Sequence, residues 1–189
     1  MKHSAACALL AGSGGLFLLQ SQAATLSPEL QAGLPVALLS GQASMTFWGF
    51  EVYQATLWVA PGFVDSAYEQ SAFALELAYR RDFKGADIAA RSIAEMRRQT
   101  PLDTELQARW EARMRALFPD VKAGDRITGV HLPGTGAQFW SNGRRLGEIG
   151  DSTFAKLFFG IWLAPQTSEP QLRQALLAKA RPITGGSTP

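Results

Sequence analysis

The run "GQASMTFWGFEVYQATLWV", Gly41 to Val59, is apolar and aromatic at nearly every second position and at many of the positions between, with Glu51 as its one charge. β-Branched and aromatic residues broken by Gly41 and Gly49 predict two strands within Val36 to Val59, joined by a bend at "WGFE". A third strand is predicted at "FALELAYR", where Phe73, Leu75, Leu77 and Tyr79 alternate with Ala74, Glu76, Ala78 and Arg80, one face dry and the other partly wet. The period then lengthens. "GADIAARSIAEMRRQ" sets Ile88, Ser92, Ile93 and Met96 on one side of a helix that Pro101 ends, because proline cannot continue the hydrogen-bond ladder. "PLDTELQARWEARMRALFPD" opens on Asp103 or Thr104 as cap and repeats Leu106, Trp110 and Met114 every four residues, a second amphipathic helix.

Three short strand-like runs follow, "RITGVHLP", "AQFWSN" and "RRLGEIG". Asn142-Gly143 between the last two predicts a tight hairpin, since a type I′ turn needs positive φ at both central residues. Asp151-Ser152 opens the helix "TFAKLFFGIWLAP", stopped by Pro165, and Ser168 is expected to cap "EPQLRQALLAK". Strands, two helices, strands and two helices is the order of an α+β protein with an antiparallel sheet and helices gathered on one face. On that arrangement Met45 and Phe47 bury beneath the helices, while Trp48, Val52 and Trp58 face the other side and need cover or a ligand.

At 189 residues the chain is sized for one domain. Its first 23 residues have a positive start at Lys2, an apolar stretch broken by "GSGG" and small residues at Ser21 and Ala23, the layout of a cleaved secretory signal and too short a run for a span. The expected organisation is a signal peptide over 1–23, one domain over 24–181 and a flexible tail over 182–189, with the protein periplasmic or secreted. Cleavage there removes Cys7 and His3. A mature chain without cysteine and with His131 as its lone histidine has no thiolate nucleophile and no Cys- or His-based metal site, so neither metal nor cofactor is expected. His131, at the end of a strand before a turn, is read as structural. The 18 basic residues fall to 17 with Lys2 removed, against 16 acidic ones, so nucleic acid is not an expected partner.

The segments "WGFEVYQATLW", "LELAYRRDFKGADIAARSIAEMRR", "FPDVKAGDRITGVHLPG", "NGRRLGEIGD" and "FFGIWLAPQTSEPQLRQALL", in this order after a signal, resemble the bacterial exported branch of the chalcone isomerase-like family from about Pro35 to Leu177. The resemblance implies an open-faced β-sandwich: a large antiparallel sheet, helices layered on one face, a few short strands on the other, and a cleft between sheet and helices. In plant members with isomerase activity the cleft closes a flavonoid ring; in relatives without it, the cleft binds fatty acids. The family's cleft arginine follows a Gly-x-Gly pattern that here reads "GQAS", placing Ala43 at the second glycine and Ser44 at the arginine. Serine offers one neutral hydrogen bond where a guanidinium offers a charged fork. The plant threonine aligns with Tyr53, and the plant tyrosine and asparagine with Lys84 and Arg91; Arg91 either supplies the missing cation from the helix or sits in solvent beside Glu95.

Three functions follow from this. A non-catalytic binder would hold a small apolar ligand, a fatty acid or similar, with Phe47, Trp48, Tyr53, Leu57, Phe158 and Trp162 as candidate lining, each equally able to be plain core. An isomerase-type intramolecular lyase would need an oxyanion donor and a base, for which the aligned segments offer Glu51 and Asp87 alone. An accessory domain would dock an envelope protein partner through the "TFAKLFFGIWL" helix or an open sheet face.

Overall fold

A computed structural model describes residues 27–179. The proposed signal peptide and tail lie outside the described residues. Six strands form one antiparallel sheet in simple chain order: β1 (Leu38–Phe47), β2 (Phe50–Val59), β3 (Phe73–Tyr79), β4 (Arg126–Leu132), β5 (Gly136–Ser141) and β6 (Arg144–Ile149). Between β3 and β4 run α2 (Gly85–Gln99) and α3 (Thr104–Leu117); α4 (Ser152–Leu163) and α5 (Pro170–Leu176) follow β6. A short α1 (Pro28–Gly33) precedes the sheet, and a 3-10 turn spans Asp65–Gln70.

Local chemistry fixes the boundaries. Asp103 caps α3 by accepting from the N–H groups of Glu105 and Leu106, and Asp151 caps α4 by accepting from that of Phe154. Asn142 and Gly143 hold φ of 50° and 80° between β5 and β6, the pair of positive values that a type I′ turn requires. Ser168, expected as the α5 cap, is not one: α5 begins at Pro170 after Glu169, and the Ser168 hydroxyl instead donates to Glu95 at 3.0 Å.

The main core lies between the sheet and α2 to α5. Phe73, Leu75, Phe139, Met96, Trp110, Met114, Phe154 and Phe159 are buried in it, and Trp110 donates its indole N–H to Asp151 at 3.0 Å. His131 sits in the same layer, stacked on Phe73 with centroids 4.7 Å apart and hydrogen-bonded through Nδ1 to the Ser71 carbonyl. Its surroundings are apolar rings, and burial holds its pKa below the usual histidine value. Leu57 is fully buried core.

The opposite face of the sheet departs from the expectation of short strands. Among the described residues it is α1 that covers this face, with Leu30 and Leu34 packed on Ala74 and Val130 and with Trp58 and Trp140 beside them. Trp58 thereby finds its cover. α5 lies against β1 closely enough that a Cβ on Gly41 would overlap the Ala175 carbonyl oxygen, and Ser40 donates to the Leu176 carbonyl at 2.8 Å. The glycine of "GQAS" is therefore required by a backbone approach of the last helix. Among the described residues no helix is long and apolar enough to cross a membrane.

Candidate functional site: a cavity between sheet and helices

Strict alternation along β1 and β2 would send Val52 away from the helices. The strands break that alternation: Met45 pairs with Tyr53 and Thr46 with Glu51, so Val52 is an extra residue, a bulge. On one side of the bulge Met45 and Tyr53 point toward the helices; beyond it Phe47 does so too, and Val52 joins them. Ser44, Thr46 and Glu51 are left on the outer face, where the Ser44 hydroxyl bonds Glu51 and Arg80 pairs with the same carboxylate at 3.5 Å.

These inward residues form one wall of a cavity of about 600 Å³. Leu77 and Tyr79 of β3 and Ile127 of β4 continue the wall, α2 supplies Ile88, Arg91, Ser92 and Glu95, and α4 closes it with Phe158, Ile161 and Trp162. The volume falls within the ~300–1,000 Å³ of small-molecule sites, and most of the lining is apolar.

Two phenols supply the inner polar groups. Trp162 donates its indole N–H to the Tyr53 hydroxyl at 2.9 Å, which leaves the phenolic proton of Tyr53 free to donate. Tyr79 stands edge-on to Tyr53 with centroids 6.2 Å apart, and its hydroxyl bonds no protein group among the described residues. Burial pushes the Tyr53 pKa up to about 12, partly opposed by the Trp162 hydrogen bond, and burial likewise raises Tyr79. Both phenols stay protonated donors at neutral pH.

The rim is charged and largely paired. Glu95, 9% exposed, receives Arg91 at 2.7 Å, Arg98 at 3.5 Å and Ser168 at 3.0 Å. Asp82 accepts from the Ala123 N–H, and Arg81 lies over the Phe50 ring at 5.2 Å. Among the described residues no three His, Cys, Asp or Glu side chains gather to hold a metal ion.

Of the residues singled out from sequence, Phe47, Tyr53, Arg91, Phe158 and Trp162 meet on this cavity. Ser44 does not, because it faces outward; the position of β1 that faces in at this level is Met45. Lys84 does not either: it is exposed and pairs with Asp120 at 2.7 Å, which raises its pKa. Trp48 projects from the hairpin tip, and Phe47, expected to be buried, is 61% exposed where the cavity opens. Of the two acids considered as bases, Asp87 lines the cavity and Glu51 does not. Met45, which the strand pattern sets beneath the helices, was not among the candidate lining residues, nor were Tyr79 and Glu95. Tyr79 was detectable as an in-facing position of β3; Glu95 was not, since a carboxylate four residues from an arginine reads as a solvated helix pair.

Comparison with known proteins agrees with this geometry. An uncharacterised protein of Haemophilus influenzae is 31% identical over 143 residues, 75% of this chain and 68% of that one. The crystal structure of a fatty-acid binding protein of Arabidopsis thaliana superposes with a TM-score of 0.59 over 76% of this chain and 88% of that chain, at 11% identity, a likeness of fold. The family model described as chalcone isomerase-like matches residues 22–178. With its six-stranded antiparallel sheet, helical layer and intervening cavity, this chain belongs to the chalcone isomerase-like family.

Proposed function

We propose that this is an exported, non-catalytic binding protein that holds a small apolar ligand of lipid size in the cavity between sheet and helices. The observation that carries the reading is the cavity itself, about 600 Å³ walled by Met45, Val52, Leu77, Ile88, Ile127 and Ile161, with the Tyr53 and Tyr79 hydroxyls as inner donors. Apolar burial at roughly 25 cal/mol per Å² holds such a molecule without a fixed charge. The fold shared with a fatty-acid binding protein supports an acyl chain as occupant. The export reading rests on the pattern of residues 1–23.

The same lining weighs against ring-closing catalysis. Oxyanion chemistry gains most from a preorganised charged donor, and β1 offers the thioether of Met45 where it faces the cavity. Arg91 is held by Glu95 at 2.7 Å. The polar end of the ligand is thus better matched as a hydroxyl or carbonyl accepting from the two phenols than as a carboxylate deep in the site.

Organic extraction of the purified protein followed by mass spectrometry tests this. A lipid-like molecule near one equivalent, displaced by a fluorescent acyl probe, is the expected result. Protein that is empty as purified and takes up no acyl probe overturns the reading, as does turnover of a chalcone above its uncatalysed rate.

A further inference from the structure

The β1–β2 turn is built against ordinary turn preference. Trp48 holds φ of 51° and Gly49 of 78°, the type I′ pair whose first position favours Asn, Asp or Gly. A bulky residue at positive φ is an uncommon and strained choice. Here the indole is 87% exposed, between Phe47 at 61% and Phe50 at 62%, and it stacks on Phe47 with centroids 5.7 Å apart. Three large rings on four consecutive residues thus project together into solvent, held out by a backbone conformation that costs stability.

The flank of this tip carries a guanidinium without an ion-pair partner. Arg81 lies over the Phe50 ring at 5.2 Å and pairs with no carboxylate among the described residues. Of the nearby acids, Glu51 is engaged by Ser44 and Arg80 and Asp82 by the Ala123 N–H, while Asp87 of α2 lines the cavity and forms no ion pair with Arg81. Indole and phenyl groups beside an unpaired guanidinium match the interfacial layer of a phospholipid bilayer, where rings sit at headgroup depth and guanidinium meets phosphate. Phe47 of the tip and Arg81 of its flank both also line the cavity.

We propose that the Phe47–Phe50 tip inserts into the interface of a phospholipid bilayer with Arg81 on a lipid phosphate, which sets the cavity mouth against the membrane surface. Docking itself stands on the tip; its purpose, exchange of an apolar ligand with the bilayer, rests on the binding role proposed above.

Vesicles of phosphatidylethanolamine and phosphatidylglycerol provide the test, using the full chain with Trp48→Asn and Arg81→Gln variants. Asparagine suits the turn, so Trp48→Asn should fold with equal or higher thermal stability while its vesicle partitioning falls by about tenfold or more, the loss expected for one large ring. Arg81→Gln should lower partitioning severalfold and make it less salt-sensitive. Lipids brominated in the upper acyl chain should quench a tryptophan component that disappears in Trp48→Asn, a readout independent of any insertion by residues 1–23. Equal quenching and flotation of wild type and Trp48→Asn overturns the proposal. So does a wild type that self-associates, or binds a protein partner, through the tip while Trp48 stays unquenched on vesicles. Extraction of ligand from the Trp48→Asn protein separates the two readings: occupied but non-docking protein leaves the cavity role standing, and docking protein with an empty cavity leaves the membrane role standing.

Discussion

The indole N–H of Trp162 and the hydroxyl of Tyr53 meet at 2.9 Å, fastening α4 to β2 across the back of the cavity. Trp162 is buried, so its donor has no ready substitute for that oxygen. Tyr53→Phe should therefore destabilise the protein by about 1–3 kcal/mol, the cost of a buried donor left unpaired. Urea denaturation measures it. Adding Trp162→Phe should cost less than the two single losses combined, because one shared hydrogen bond is lost once.

All three tyrosines, Tyr53, Tyr68 and Tyr79, have pKa values raised by burial, Tyr53 and Tyr68 to about 12. An unfolded phenol ionises near pH 10, so between about 10 and 12 the unfolded chain has released protons that the native chain still holds. The stability these phenols contribute is complete below pH 10 and is lost as pH rises through the native values. With three such groups the loss approaches about 4 kcal/mol per pH unit at its steepest. Absorbance at the phenolate band should then rise together with unfolding measured by circular dichroism; a tyrosine that titrates near 10 in intact protein would contradict this.

Asp151 serves two elements at once. One carboxylate oxygen accepts from the Phe154 N–H at the start of α4, and the other accepts from the buried indole of Trp110 on α3. Asp151→Ala removes a cap, about 1 kcal/mol, and strands a buried donor at about 1–3 kcal/mol. A combined loss of about 2–4 kcal/mol in chemical denaturation is expected, with Asp151→Asn recovering part of it, because the amide oxygen still caps or still accepts from the indole.

What could be read from sequence follows the reach of each signal. Helices α2 and α3 were legible because period, proline stop and Asp103 cap agree over more than a dozen residues, and the Asn142-Gly143 hairpin because its turn chemistry is local. α1 escaped notice: six residues are too few for a period, and this helix is held by Leu30 and Leu34 against strands 40 to 100 residues away. The cavity wall was legible only in part. One bulge residue, Val52, reverses the inside and outside of β2 between itself and the hairpin tip, and no feature of "FWGFEVY" announces which residue will be extra. Ser44 misses the ligand space for a different reason: β1 alternates regularly here, with Met45 and Phe47 inward and Ser44 and Thr46 outward, so the position aligned within "GQAS" falls on the outer face, one residue short of the side chain that faces the cavity.

That difference of one position can be tested with charge. Ser44→Arg would place a guanidinium on the outer face beside Glu51, whereas Met45→Arg would place it within the cavity next to Tyr53. A charge-assisted hydrogen bond contributes about 1.5–3 kcal/mol, so Met45→Arg should bind a fluorescent long-chain carboxylate roughly ten- to a hundredfold more tightly than wild type, and the matching long-chain alcohol no better. The empty Met45→Arg protein should melt at lower temperature, since it carries a cation in a largely apolar space, and should regain stability when the carboxylate is added. Ser44→Arg should change neither affinity nor melting temperature appreciably. Equal gains from the two variants would mean that the Ser44 side chain reaches the cavity after all, and that the outward facing of this β1 position is wrong.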